Sequence, residues 1–488
     1  MKQLLYFLFA ILLSGGCSPD RPPVASVQID ELPPVYPDYV DVTIPATMAP
    51  LNFSVRGFGK VCTVFQTEGY TFSVCTSDGS LSIPEEKWKK LLAVGKGKQV
   101  DISVLVEDEG KWKAFRTFHI DVSTDPIDPY IAYRLIDPGY QLWGSMGIYQ
   151  RELNSFKQEA ILENRLTDSN CMNCHSFCNQ DPDKMLLHIR AKYGCTVLID
   201  GEKIETLDTK TENTISPLVY PSWHPSGKYI AFSVNNTTQD THPVHRTEVY
   251  DKASDVVVYD VEKQTILTTG LLFSKNRFET FPTFSPDGKS LYFCSAPAVK
   301  VPGGLKELRY SLCRISFDPE RGIFGSAVDT IYHAETEQRS ILFPRVSPDG
   351  KYLLCTTTSY GTFPIWHKDA DLCMFDLATG EQISTEEANS PDTDSYHSWS
   401  SNSKWVVFSS RRLDGLYTRP FIAHVDEGGI LSKPFLLPQE SADYYTCLTK
   451  SYNIPEFVKG KVKMNMYRFA SRIKEGKNRK VSFRRVST

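Results

Sequence analysis

The sequence predicts an all-β chain of two units: a small β-sandwich over residues 40–124 and a larger ring of repeated four-stranded sheets over 125–456. Three observations carry that expectation. Short runs before residue 124 alternate apolar and polar side chains with the period of a strand. After residue 200 one strand–turn–strand segment recurs four times. The length of 488 residues, with 41% hydrophobic, gives enough core for two or three domains.

Composition excludes several classes. With 23% charged and 12% aromatic residues the chain is neither disordered nor collagen-like. Mean hydropathy is -0.29, and the one long apolar run, 4–13, falls short of the roughly 20 residues needed to span a bilayer. The net charge of -4 hides an asymmetry. From Lys459 onward there are 11 Lys or Arg against one acid, Glu475, so the first 458 residues carry -14.

Residues 1–17 decide the expected compartment. Lys2 supplies a positive start, 4–13 an apolar stretch, and Ser14-Gly15-Gly16-Cys17 a small-residue cleavage site ending in cysteine. This resembles a bacterial lipoprotein signal, with Ser14 where a Leu-like residue is usual. The resemblance implies lipidation of Cys17, and Ser18 after it implies the outer membrane, facing periplasm or surface. Ordinary signal-peptidase cleavage and a plain N-terminal helix are the alternatives. Residues 18–39, rich in proline, read as an extended tether.

In the first unit, strands are expected at 40–44, 51–55, 61–66, 70–75, 99–106 and 112–122, with a helix only at 84–94. Glu68-Gly69 can form a two-residue hairpin turn. In that register Cys62 and Cys75 lie opposite each other, as a cross-strand disulfide or as two buried thiols.

The repeat reads YPSWHPSGKYIAFSV at 220–234, FPTFSPDGKSLYFCS at 281–295, FPRVSPDGKYLLCTT at 343–357 and HSWSSNSKWVVFSS at 397–410. Its lysines, Lys228, Lys289, Lys351 and Lys404, are spaced by 61, 62 and 53 residues. Each segment is a strand, a tight turn and a second apolar strand, and a further strand pair follows at 256–268 and 372–383. Four strands per unit with one turn signature describe a β-propeller blade. The Ser-Pro-Asp-Gly-Lys turns resemble those of the TolB-type propellers of Gram-negative bacteria. That resemblance implies a propeller but no particular activity, since the fold hosts scaffolds, binders and hydrolases. A degenerate fifth unit lies upstream, with Asp181-Pro182-Asp183-Lys184 for its turn, 185–190 for its second strand and 196–207 for the remaining pair. Residues 130–164, with the stretch before Tyr452, would close a ring of six.

One motif carries chemistry. Cys171-Met172-Asn173-Cys174-His175 is a C-x-x-C-H, the pattern in which two thiols add to one haem and the histidine reaches its iron. It is expected in the connection leading into a blade, on the same face as the 235–254 connection with His242 and His245. Cys171 and Cys174 are then the thioether anchors of a haem c, and His175 the proximal iron ligand. His188 and Met185 are the distal candidates. Aligned on the turn lysines, His188 matches Phe232, Phe293, Cys355 and Phe408, and Met185 matches Tyr229, Ser290, Tyr352 and Trp405. A core histidine with ordinary hydrogen bonds is the plainer account of His188. Zinc is the alternative metal, with Cys178 and either Cys195 or His188 completing a tetrahedral set. A structural Cys178–Cys195 disulfide is the third reading.

There is no Gly-x-Ser-x-Gly elbow, His-Glu-x-x-His or P-loop, which points away from an enzyme. The basic tail, 457–488, reads as solvated, or as lying on anionic lipid. The sequence therefore describes an envelope lipoprotein with one c-type haem, acting in electron transfer or redox sensing. Its alternative is a haem-free propeller scaffold for an envelope protein or glycan. No nucleic-acid partner is expected.

Overall fold

A computed structural model describes residues 22–138, 144–241 and 246–486. The signal segment with Cys17, and His242 and His245, lie outside the described residues. No helix among the described residues is long and apolar enough to cross a membrane.

The second unit is a six-bladed β-propeller, each blade an antiparallel sheet of four strands among the described residues. The first blade is closed by the far end of the chain: Ser451–Val458 is its innermost strand, paired with Tyr130–Ile136. The closing strand thus begins at Ser451 rather than ending before Tyr452. Pairing the two ends of the chain in one sheet ties the ring shut. The second blade runs from Met172–Phe177 through Lys184–Ile189 and Cys195–Asp200 to Lys203–Asp208. The third is centred on Tyr229–Asp240 and Glu248–Asp260. The fourth, fifth and sixth begin at Arg277–Phe284, Ser340–Val346 and Asp394–Trp399. The apolar second strands fill the spaces between blades, as Leu187 and Phe232 show at 0% and 1% exposure.

Every innermost strand carries the same irregularity. Its pairing skips two residues, and the first of them has positive φ: Ile454 (50°), Cys174 (53°), Tyr220 (51°), Phe281 (49°), Phe343 (51°) and Tyr396 (50°). These are β-bulges, which re-aim a side chain. Four of the six side chains are aromatic, and Phe281 stacks on Phe343 with ring centroids 3.8 Å apart. Tyr220 meets Phe281 edge-on at 4.8 Å and Tyr396 meets Phe343 at 4.9 Å, so an aromatic plug fills the channel.

The first unit departs from a two-layered sandwich. Its main strands form a single branched sheet in which Gln99–Asp108 pairs along one edge with Val61–Thr67. Along its other edge it pairs with both Lys111–Ala114 and Phe118–Ser123. One strand of 10 residues is long enough to hold two short partners end to end. The second layer is the helix Glu85–Gly95, with Trp88, Leu91 and Leu92 buried, together with Met48, Leu51 and Phe53. Pro84 before the helix and Glu85 and Glu86 in its first turn suit its N-terminus. Cys62 pairs with Cys75 across the strands and the two form a disulfide. The unit packs on the sixth blade: Lys433 donates to the Val40 carbonyl at 2.8 Å and Ser123 Oγ lies 3.3 Å from His424 Nε2, while in the connection that follows Asp128 accepts from the Ser401 main chain and hydroxyl, both at 2.7 Å.

The basic tail is a folded strap, not a solvated segment. Helix Met466–Lys474 buries Phe469, Ala470 and Ile473 against the first and second blades. Asn465 caps it, accepting from the Tyr467 and Arg468 amides at 3.0 and 3.1 Å. Arg479–Lys480 and Ser482–Arg485 then add as outer parallel strands to the second and third blades.

Candidate functional site

The C-x-x-C-H sequence is not in a connection. Met172 to His175 lie on the innermost strand of the second blade, and Cys174-His175 is its bulge. The pair that follows the same pattern is Tyr220-Pro221, Phe281-Pro282, Phe343-Pro344, Tyr396-His397 and Ile454-Pro455 in the other blades. His175 thus stands where four blades carry proline and the sixth carries His397.

The two histidines have matching surroundings. His397 is 4% exposed; its Nε2 lies 2.9 Å from the Leu354 carbonyl and its Nδ1 3.4 Å from Thr356 Oγ1. His175 is 2% exposed and lies against the main chain of Ala132 and Ile454, the residues of the first blade equivalent to Leu354 and Phe343 of the fifth. Its Nε2 has no hydrogen-bond partner among the described residues. Burial holds both rings neutral, each pulled down to about 3, with Arg134 beside His175 and Arg345 beside His397 acting in the same direction.

These residues do not fit a haem. The channel space beside Cys174, His175, Arg345 and Glu456 is about 30 Å³, against the ~300–1,000 Å³ of ordinary cofactor pockets. The two thiols face different spaces: Cys171 packs with Ile189 and Cys195 between the first and second blades, whereas Cys174 borders the channel. Positions i, i+3 and i+4 share one face of a helix, but a strand alternates its faces, so this strand does not present the three residues together. The distal candidates are also separated. Met185 packs toward the first blade with Ala132 and Ile148, whereas His188 faces the third blade beside Thr196 and Thr209. Nor does a zinc set form: no three His, Cys, Asp or Glu side chains among the described residues are grouped to hold a metal. Cys178 sits at the turn beside Gly227, away from Cys195, and both are free thiols that burial pushes up, to about 11 and about 12.

The expected match of His188 with Phe232 is off by one residue. Ser176 pairs with Leu186 as Ser222 pairs with Ala231, so Leu187 is the equivalent of Phe232 and His188 that of Ser233, Cys294, Thr356 and Ser409. The turn of the second blade holds one residue more than the others, and a one-residue slip turns every side chain to the opposite face.

What His188 does line is a cavity of about 580 Å³ between the second and third blades, shared with Arg190, Asp208, Tyr220, Asn235 and Thr237. Burial holds its ring neutral, down to about 3. Asn235 donates to Asp251 at 2.7 Å, and its own Oδ1 is buried with no partner among the described residues. Asp251 also accepts from Thr237 at 2.5 Å, and burial lifts its carboxyl to about 6. Above the channel, the hairpin of the third blade reaches across the ring. Arg246 donates from Nη2 to both carboxylate oxygens of Asp392 at 2.7 Å and to the Gly415 carbonyl at 2.9 Å, in the sixth blade. Glu248 accepts from Tyr360 at 2.9 Å and lies 3.4 Å from His367. Third and sixth blades stand opposite in a ring of six, so the hairpin bridges the channel mouth. The sequence marked this stretch only as a long connection; Arg246 and Glu248 belong to no motif.

No family model matches the chain, and no curated protein matches it. Similar solved structures include a puromycin-hydrolyzing peptidase of Mycobacterium tuberculosis, at 13% identity and a TM-score of 0.34, covering 70% of this chain and 52% of that one. Prolyl oligopeptidase B from Galerina marginata matches at 13% and 0.33, covering 59% and 40%. A DUF4784 family protein from Bacteroides caccae matches at 7% and 0.30, covering 73% and 96%. This chain spans about half the length of the first of these. Likenesses at this level say nothing of what the chain does.

Proposed function

We propose that the protein is a haem-free binding propeller of the cell envelope, anchored through Cys17 to the outer membrane, and that it holds a polar partner such as the end of a glycan in the cavity beside His188. The TolB-type character rests on the Ser-Pro-Asp-Gly-Lys turns at 285–289 and 347–351. The observation that carries the haem-free reading is the place of Cys174-His175 in the series of channel bulges, where the other blades use Ile-Pro, Tyr-Pro, Phe-Pro twice and Tyr-His. A concave space of about 580 Å³ with one buried amide oxygen, Asn235 Oδ1, that has no partner among the described residues suits a small polar group better than a flat protein surface.

The alternative keeps the motif as a haem site, with Cys171 and Cys174 as anchors, His175 on the iron and electron transfer as the role. It requires the innermost strand of the second blade to leave its sheet. Mass spectrometry of the protein made together with a haem-attachment machinery decides between them. The expected mass is that of the processed chain alone; a covalent haem adduct lost in Cys171→Ser/Cys174→Ser overturns the binding reading. Titration of envelope glycan fragments into the wild type and into Asn235→Leu then tests the cavity. Binding that the leucine abolishes supports it, and binding that the leucine leaves unchanged places the partner elsewhere.

A further inference from the structure

We propose that a second cavity, between the third and fourth blades, is a site for a phosphomonoester carried on a sugar or on a lipid headgroup. The space is about 740 Å³, the size of an ordinary small-ligand pocket. Three separate stretches of chain bring four cations to it: Lys252 from the third blade, Lys275 and Arg277 from the start of the fourth, and Arg485 from the C-terminal strap. The two guanidiniums are held in place. Arg485 donates from Nη2 to the Phe273 carbonyl at 2.8 Å, and Arg277 from Nε to Ser295 Oγ at 2.9 Å. Lys252 and Lys275 make no hydrogen bond or ion pair among the described residues. Held forks beside free ammonium groups are the usual means of gripping a phosphate, the first giving geometry and the second charge.

The carboxyls nearby do not cancel this charge. Asp255 lines the cavity and accepts from the Ser274 amide at 2.9 Å, and burial raises its carboxyl to about 7. Glu279 lies 3.9 Å from Arg277 and is raised by burial to about 8. At neutral pH both are largely or partly protonated, and the cavity keeps a positive excess on a chain whose first 458 residues carry -14. Phe273, Phe278 and Val299 give an apolar wall on which a sugar ring or glycerol backbone can rest. The strap is part of the site, because the pairing of Thr268 with Arg485 fixes one of the four cations.

Calorimetric titration of the full chain at low ionic strength tests this with glucose 6-phosphate, inorganic phosphate and glucose. Cosedimentation with phosphatidylcholine vesicles, with and without phosphatidic acid, tests the lipid source. Glucose 6-phosphate should bind more tightly than phosphate, glucose not at all, and the affinity should fall as salt is raised. Lys252→Gln/Lys275→Gln, which removes only exposed unpaired groups, should weaken binding about tenfold or more. Vesicle binding that needs phosphatidic acid and is lost in the same variant assigns the lipid source; soluble binding alone assigns the sugar. No binding of either phosphomonoester, binding the double variant leaves unchanged, or phosphate bound as tightly as its ester overturns the proposal.

Discussion

His175 and His397 hold the same position in their blades, each the second residue of a channel bulge and each packed against the main chain of the blade before it. Because four other blades carry proline there, the position needs neither an imidazole nor a backbone N–H. His175→Pro is therefore expected to fold, with an unfolding free energy from chemical denaturation within about 1 kcal/mol of wild type. A variant that fails to fold or loses an absorbance band would return His175 to a role of its own.

That equivalence was present in the sequence, since Cys174-His175-Ser176-Phe177 lines up with Tyr396-His397-Ser398-Trp399. It is obscured by the turn that follows. Asp181-Pro182-Asp183-Lys184 resembles the other turns closely enough to be found, but its extra residue shifts a lysine-based alignment by one and reverses the faces of His188 and Met185. Propeller architecture was legible because proline, glycine and aspartate specify the turn chemistry locally. The inward direction of Cys174 was not, because a bulge is a property of strand pairing. One main sheet covered by a helix, in place of two packed sheets, was likewise hidden, since alternation at 99–108 shows which face is buried and not what covers it.

The tail misled for a different reason. Its charges dominate the composition, yet Phe469 and Ile473, four residues apart, are both 0% exposed. Phe469→Ala should destabilise the protein by about 3–5 kcal/mol, as for other buried phenylalanines. Thermal or denaturant unfolding measures this, and a change under about 1 kcal/mol would show the strap to be loosely attached.

Stability should fall as pH rises from about 6.5 to 8. Burial raises the carboxyls of Glu279 and Glu456 to about 8 each, with Arg345 pulling Glu456 back. Each binds a proton in the folded state that the unfolded chain has released, so each contributes stability below its unfolded pKa that is lost as pH rises through 8. The loss is about 2 kcal/mol per group over this window. The buried His175, His188 and His397 act in the opposite sense, but only below about 6.5, where the unfolded chain takes up protons that the folded one refuses. Denaturant midpoints at pH 6.5 and 8 should differ in wild type and differ less in Glu456→Gln; a flat profile would show that these carboxyls ionise freely when folded.

The bridge over the channel mouth is tied to the sixth blade by one guanidinium, that of Arg246. Arg246 and Asp392 are 25% and 15% exposed at the side chain, partly shielded from water, and one guanidinium nitrogen, Nη2, reaches both carboxylate oxygens. A double-mutant cycle of Arg246→Ala and Asp392→Ala should give a coupling of about 1–3 kcal/mol. Glu248 keeps a second hold through Tyr360 and His367, so the blade itself should stay folded when Arg246 is removed. Amide exchange should accelerate at Thr237 to Asp240 and Glu248 to Asp251, the outer part of the hairpin, while Tyr229 to Val234 stays protected. Uniform acceleration across all of Tyr229–Asp240 would mean that the ion pair holds the third blade as a whole, and no acceleration that Glu248 alone closes the mouth.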